Sequence, residues 1–236
     1  MRGGLTGRPA PISRRGGRVD AIFGNLDLWS QGLTYTLMVF FFGGIIALVL
    51  GTIVGAMRVS PVPVARAVGT AYVTLVRNTP LTLVFFFFVF GYSALALPTL
   101  SNLVLGIFAI GVYTATYVAE TLRAGINTVP VGQAEAARAI GLPFGQVMTQ
   151  VVLPQAFRSV VPPMMSVFIA LLKNTTVAAG FSIAVLPQLQ ATISNSHTRP
   201  GSPMEVLLWV AVIFIALVML LTWLQRTLEN RWRIAR

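Results

Sequence analysis

Charge is scarce in this chain, and most of it has one sign. Only 10% of the 236 residues are Asp, Glu, Lys or Arg and 56% are hydrophobic, whereas soluble domains carry about 25% charged residues. Mean hydropathy is +0.79. A water-soluble core has no use for so much apolar surface, so the chain reads as an integral membrane protein. Cysteine is absent, which excludes a disulfide framework, a thiolate metal site and a cysteine nucleophile. The one histidine, His197, sits among Ser194, Asn195, Ser196 and Thr198. It reads as a solvated loop residue, and a single histidine makes no metal site. The one lysine, Lys173, follows Leu172 and precedes Asn174. A P-loop needs its lysine after glycine and before Ser or Thr, so the sequence has none. An intramembrane enzyme lacks its groups too: there is no His/Asp/Glu cluster and no adjacent Ser–His pair. The net charge of +11 would suggest nucleic acid on a soluble protein. Here the arginines lie in tails and between apolar runs, as the positive-inside rule expects, and no nucleic-acid partner is implied.

Five apolar runs are candidates to cross a bilayer, a task that takes about 20 residues of helix. Leu33–Met57 carries no charge over 25 residues and would be about 37 Å long as a helix. Arg58, Pro61 and Pro63 follow it. Leu81–Leu97 contains the run Phe85–Phe88, which covers every face of a helical turn and suits lipid contact and packing rather than a cation cage. Leu103–Ala119 ends at Glu120 and Arg123. Val160–Leu172 is short and ends at Lys173. Val206–Leu224 ends at Arg226. A weaker piece, Val177–Leu186, is too short to cross and reads as re-entrant or interfacial. Since only helices and closed barrels satisfy every backbone group in lipid, these runs predict an all-α bundle. Gly43, Gly44, Gly51 and Gly55 place small residues on the first run, suited to close helix contact or dimer packing.

An odd number of spans puts the termini on opposite sides. The 58–80 and 120–158 loops and the C-terminal tail hold ten arginines, against six in the N-terminal tail and at Arg199. The larger count belongs in the cytoplasm, with the N-terminus outside and the C-terminus inside. The five arginines of the N-terminal tail oppose that assignment. Residues 1–28, rich in Gly, Pro and Arg, read as a disordered basic tail. Residues 29–230 form the membrane domain and 231–236 a basic C-terminal tail. Arg14-Arg15 begins like a twin-arginine signal, but Gly16-Gly17-Arg18 breaks the pattern and no cleavage site follows.

Within the 120–158 loop, Gly132 and Gly141 frame a string of helix formers, Gln133 to Ile140. A free helix of about two turns is unstable in water. It must pack on its own membrane domain or present its alanine surface to a partner. The spacing Glu135-Ala136-Ala137, Gly141, Val151, Leu153-Pro154 resembles the EAA loop of the membrane subunits of ATP-binding-cassette importers, with Val151 in place of the usual Ile. Three further stretches resemble one branch, the permeases for polar amino acids (histidine, glutamine and glutamate permease type). Arg77-Asn78-Thr79-Pro80-Leu81 is similar to that family's Arg-Gly-Thr-Pro-Leu, with Asn78 replacing Gly. Tyr117 to Ile126 is similar to its signature ahead of the EAA loop. Leu172-Lys173-Asn174-Thr175-Thr176 is similar to its Leu-Lys-Asp-Thr-Ser, with Asn174 where Asp is common. The similarity covers residues 30–230 and looks closest to glutamate-uptake permeases.

The resemblance implies a five-span type I importer transmembrane domain in a bacterial cell membrane, with a cytoplasmic EAA coupling helix in a loop of about 123–158. It makes Glu135, Ala136, Ala137, Arg138 and Gly141 the residues that couple to the ATPase. It implies a dimer of separate ATPase subunits carrying ATP and Mg, so that this chain binds no cofactor or metal itself. It also implies a second permease, like or unlike this one, and an extracytoplasmic solute-binding protein that delivers the amino acid.

For the substrate path, Lys173, Asn174, Thr175 and Thr176 come first. They are expected to break the fourth run early, and unwound backbone with amide and hydroxyl side chains lines binding cavities at membrane depth. Lys173 would complement a substrate carboxylate. Glu120 and Thr116 come next, then Arg77 and Thr79, whose other reading is to set a helix entrance. Glu120 and Lys173 also read as boundary charges that reach the interface. Two competing functions remain: an ion-driven secondary transporter, which would want more intramembrane acids than Glu120, and a non-transporting assembly subunit, against which the polar break at Asn174 speaks.

Overall fold

The structure, a computed structural model, describes residues 20–95, 97–195 and 202–232. Most of the basic N-terminal tail (1–19), His197, Arg199 and the last four positions (233–236) lie outside the described residues. The described part is helical throughout: α1 (Leu26–Val59), α2 (Pro63–Arg77), α3 (Leu81–Ala94), α4 (Asn102–Asn127), α5 (Val131–Ala139), α6 (Phe144–Phe181), α7 (Gln188–Ser194) and α8 (Pro203–Trp232). A single turn, Asp20–Phe23, precedes α1. Residues 20–28, expected as tail, are therefore mostly helical, and Trp29 just after them is buried. At the other end α8 runs on through Trp232.

α4 is the centre, and α1 lies along it on a seam of glycines. A Cβ at Gly43 would stand 2.6 Å from Ile110, at Gly51 2.5 Å from Val118, and at Gly111 2.7 Å from Ile46. No side chain fits at such distances, so the stripe of small residues on α1 is consumed inside this chain. The contacts advance in the same direction along both helices, so α1 and α4 are parallel. The chain must therefore travel back between them, and only α2 and α3 are available to do it.

That return corrects the sequence reading. Residues 58–80, expected as a loop, contain the 15-residue helix α2. Pro63 opens it, in the position where a missing N–H costs nothing. α2 buries Val73 against Val54 and Ala119, and Tyr72 Oη donates to the Val112 carbonyl at 2.6 Å. A bend of 100° separates α2 from α3. Among the described residues four helices are long and apolar enough to cross a membrane, and the bent pair, taken as one broken pass, brings the number to five. On α3, Phe85 is fully buried and stacks on Phe181 with ring centroids 5.0 Å apart, while Phe86 and Phe87 are exposed. The four-Phe run thus divides between packing and the outer surface.

The fourth run is longer than the expected Val160–Leu172. α6 spans 38 residues. After one α-helical turn, Phe144–Gln146, it passes through a π-helical stretch, Val147–Val152, just ahead of Pro154, whose missing N–H interrupts the ordinary ladder. It does not unwind at Asn174. It tightens into the 3₁₀ helix Thr175–Phe181 and stops at Ser182, whose φ is 58°. The piece Val177–Leu186 then folds back into the bundle, where Ala178, Phe181, Ile183, Val185 and Leu186 are buried. Asn102 Nδ2 donates to the Phe181 carbonyl at 3.2 Å, and the Leu186 N–H donates to Thr36 Oγ1 at 3.0 Å. At the opposite end α4 and α6 cross so closely that a Cβ on Gly125 would lie 2.1 Å from Val160.

Candidate functional site

Between α4 and α6 lies a cleft of about 360 Å³, lined by Tyr113, Thr114 and Tyr117 from one side and Ser166, Ala170 and Asn174 from the other. The spacing explains the lining. Positions 113 and 117, and positions 166, 170 and 174, are four residues apart and so share a helix face. The hydroxyls of Tyr113 and Tyr117 share a hydrogen bond of 3.0 Å. The Arg77 guanidinium, at the carboxyl end of α2, stands 5.1 Å from the centre of the Tyr117 ring. Thr114 is 3% exposed, and its Oγ1 has no hydrogen-bond partner among the described residues. A buried hydroxyl without a partner is costly in an apolar bundle. The oxygen itself is shielded, so it lies behind the cleft wall rather than on its open surface. The volume falls within the range of small-molecule sites, about 300–1,000 Å³.

Of the residues expected on the substrate path, Asn174 lines this cleft; Arg77 is exposed and does not line it, though its guanidinium lies over the Tyr117 ring. The others go elsewhere. Lys173 is exposed and does not line the cleft. Thr175 is buried and donates to the Leu172 carbonyl at 2.7 Å, and Thr176 donates to Lys173 at 2.8 Å. Because the helix tightens there instead of opening, both hydroxyls are spent on the preceding turn. Thr116 is buried and donates to the Tyr113 carbonyl at 2.7 Å. Thr79 donates to Leu75 at 2.8 Å. Glu120 is held between two arginines: Arg58 Nη1 donates to one carboxylate oxygen, and Arg123 Nε donates to the other at 3.2 Å. It ties α1 to α4 and borders a separate cavity of about 270 Å³ with Thr128 and Ser159. Sequence reasoning missed Tyr113, Thr114, Tyr117 and Ser166 in the cleft, and Arg58 as the partner of Glu120. The i, i+4 spacing of hydroxyl-bearing residues on α4 was the available signal.

The second feature is the hairpin between α4 and α6. α5 ends in a Schellman motif: the Gly141 N–H donates to the Arg138 carbonyl at 2.9 Å and the Leu142 N–H to the Ala137 carbonyl at 3.2 Å. Gly141 has a φ of +88°, which a residue with a Cβ adopts only under strain. Ala137 turns inward against Val147 and Val152, with Leu142 and Ile126 alongside. Glu135, Ala136, Arg138 and Gly141 are exposed, and Ile140 is 80% exposed. The base is pinned to α6: Thr128 and Ser159 share a hydrogen bond of 2.8 Å, and Gln155 Nε2 donates to Gln133 Oε1. Because α4 and α6 extend so far, the irregular part of the expected 123–158 loop shrinks to short turns on either side of α5.

Comparison with known proteins locates the chain. The sequence model of the family described as "Binding-protein-dependent transport system inner membrane component" matches residues 47–234. The "Glutamate transport system permease protein GluC" of Corynebacterium efficiens is 39% identical over 198 residues, covering 79% of this chain and 84% of that one. A "Probable glutamine ABC transporter permease protein GlnM" of Bacillus subtilis is 34% identical over 225 residues, covering 91% of this chain and 99% of that one. Among solved structures, "an amino acid ABC transporter with histidines" superposes with a TM-score of 0.81 at 26% identity, over 89% of this chain and 97% of that chain.

Proposed function

This chain belongs to the inner-membrane components of binding-protein-dependent transport systems, and from that premise we propose that it forms the path for glutamate or a similar polar amino acid in an ATP-driven importer. It is a multi-pass membrane protein with the fold of an ABC importer transmembrane domain, a fold that works with ATPase and binding-protein partners. The α4–α6 cleft is the cargo site. Its neutral hydroxyls and the Asn174 amide supply hydrogen bonds to a zwitterion.

The hairpin is the contact with the ATPase. An exposed apolar side chain, Ile140, just past a short helix that also exposes Glu135 and Arg138, is a small anchor beside polar groups, suited to a protein socket. The pinned base passes the socket's movement to α4 and α6 rather than absorbing it. This hairpin is the observation that carries the proposal. Two such hairpins, from this chain and a second permease, engage two ATPase subunits, which hold ATP and Mg because the sequence lacks a P-loop. The hairpin and the C-terminus face the cytoplasm, and the N-terminus faces outward to the solute-binding protein. Closure of the ATPase dimer shifts the bundle between inward- and outward-open states.

The test is uptake of radiolabelled glutamate into proteoliposomes holding the permease with its ATPase and supplied with the binding protein. Uptake is expected only with ATP inside the ATPase compartment. Uptake driven by an ion gradient in vesicles without the ATPase would overturn the proposal.

A further inference from the structure

The smaller cavity, of about 270 Å³, is lined by Glu120, Thr121, Ala124 and Thr128 on one side and by Ser159 and Pro163 on the other. Helix periodicity fixes its place. Positions 113, 117, 121, 124 and 128 are three or four residues apart and share one face along α4 and its end. Positions 159, 163, 166, 170 and 174 do the same on α6. The cleft takes the first two of one set and the last three of the other, and the smaller cavity takes the rest. The two are consecutive parts of a single groove, about 22 Å long on each helix. It runs from the cleft to the base of the hairpin. Its walls carry small or polar side chains such as Ala124, Ser159, Ser166 and Ala170, whereas the outer surface of α1 exposes Phe41, Phe42, Val49 and Ile53. Such walls offer little to acyl chains and suit a small polar solute.

Thr128 and Ser159 are the lining residues nearest the hairpin on the two walls, and their hydroxyls lie 2.8 Å apart. Thr128 Oγ1 donates its proton to the Gly125 carbonyl at 2.6 Å. A hydroxyl has one proton, so Ser159 is the donor to Thr128, and one neutral hydrogen bond spans the end of the groove. Ser159 has a second acceptor within reach, the Ala156 carbonyl at 3.0 Å. The clasp can therefore open and leave neither proton without a partner, which keeps the cost of opening low.

The neighbouring contact is of the other kind. Gly125 and Val160 are buried and closely apposed, a spine beside the clasp. On α6, Pro162 and Pro163 stand between Ser159 and Ser166. Neither has an N–H, so the carbonyls of Arg158 and Ser159 lose their ordinary helical donors, and α6 yields most easily there. The segment that carries Ser159 and the hairpin is thereby free to turn on the spine while the segment lining the cleft keeps its place. We propose that the groove is the route by which the cargo leaves the cleft, and that the Thr128–Ser159 hydrogen bond is its gate, opened when the ATPase moves the hairpin. This rests on the readings of the cleft as cargo site and of the hairpin as ATPase contact.

The chain has no cysteine, so the double variant Thr128→Cys, Ser159→Cys can replace the breakable clasp by a disulfide in the full importer. In proteoliposomes the reduced variant should take up radiolabelled glutamate within about twofold of wild type, and oxidation should lower uptake at least about tenfold, reversibly. Oxidised wild type is the control for cysteines of the partner subunits. Glutamate binding to the oxidised complex in nanodiscs, and co-purification of the ATPase, should be unchanged. Uptake by the oxidised variant equal to that of oxidised wild type overturns the gate. So does loss of glutamate binding together with uptake, since the contact would then shape the cleft rather than close its exit. Ala124→Cys reports on the groove with the clasp intact. Its modification by a charged, membrane-impermeant thiol reagent on the ATPase side should quicken at least about threefold when ATP and the binding protein set the importer turning over. An unchanged rate also overturns the gate. Asn174→Leu separates the layers: if it binds glutamate as wild type does, the cleft reading falls and the route with it, whereas loss of binding in Asn174→Leu with full uptake by the oxidised variant leaves the cleft standing and removes only the gate.

Discussion

The cleft and the hairpin hang on the same two helices and are built by opposite rules. In the hairpin the polar backbone is satisfied: the α5 terminus is closed by the Gly141 turn, and the base is bridged by Thr128–Ser159 and Gln133–Gln155. What it leaves over is apolar surface, Ile140 above all. At the cleft what is left over is polar: the Thr114 hydroxyl, buried without a hydrogen-bond partner among the described residues. Surplus apolar surface in water favours a protein partner. Surplus polarity inside an apolar bundle favours a small polar guest. Under the proposed function, the difference makes α4 a lever with the small-molecule site near its middle and the protein contact at its end.

The change with the largest effect strikes what the two regions share. Gly125 is where α4 presses on α6, between the cleft and the hairpin base. In Gly125→Leu the first added carbon would meet Val160 at 2.1 Å, and relief requires the helices to part. A loss of about 3 kcal/mol, seen as a lowered melting temperature of the purified complex, is expected, together with loss of both cargo binding and ATPase association. Retention of one with loss of the other would show that the two regions do not share this fulcrum. Gly141→Val is the next in size and separates them. A β-branched residue at a φ of +88° costs about 1–2 kcal/mol locally. Co-purification of the ATPase should fall while glutamate binding in the cleft persists. Equal damage to both would contradict the division of roles.

The unequal legibility of the two regions has the same origin. The hairpin was legible because its structure is local: Gly141 sits just past a run of helix formers, and the turn needs only neighbours in sequence. The long spans were legible because lipid demands uninterrupted apolar residues, as in Leu33–Met57. α2 was not, because Pro61, Pro63, Arg58, Arg66 and Arg77 carry the composition of a loop, and only packing of Val73 and Tyr72 on α1 and α4 stabilises it as a helix. The cleft was half legible. Asn174 stood out at the end of an apolar run, yet the expected unwinding there did not occur, because the 3₁₀ turn absorbs Thr175 and Thr176. Tyr113, Thr114 and Tyr117 are hidden inside an apolar run, where single hydroxyls do not disturb the average. Their meaning depends on the crossing of α4 with α6, which no local pattern encodes.

The smallest expected effect is the sharpest test of the cleft. Thr114→Val replaces a buried hydroxyl by a methyl of the same shape. Had the hydroxyl been bonded within the chain, its removal would cost about 1 kcal/mol. Since Oγ1 has no partner among the described residues, the empty complex should melt at the same temperature or slightly higher. The proposed cargo site requires this shielded hydroxyl to turn into the cleft and bond the guest, and on that reading glutamate affinity should fall about fivefold. The two measurements must therefore move apart, stability holding while affinity drops. If stability and affinity fall together, Thr114 is an ordinary structural hydroxyl. If neither moves, that wall of the cleft does not touch the cargo, and the contrast between a polar site and an apolar contact loses its clearest residue.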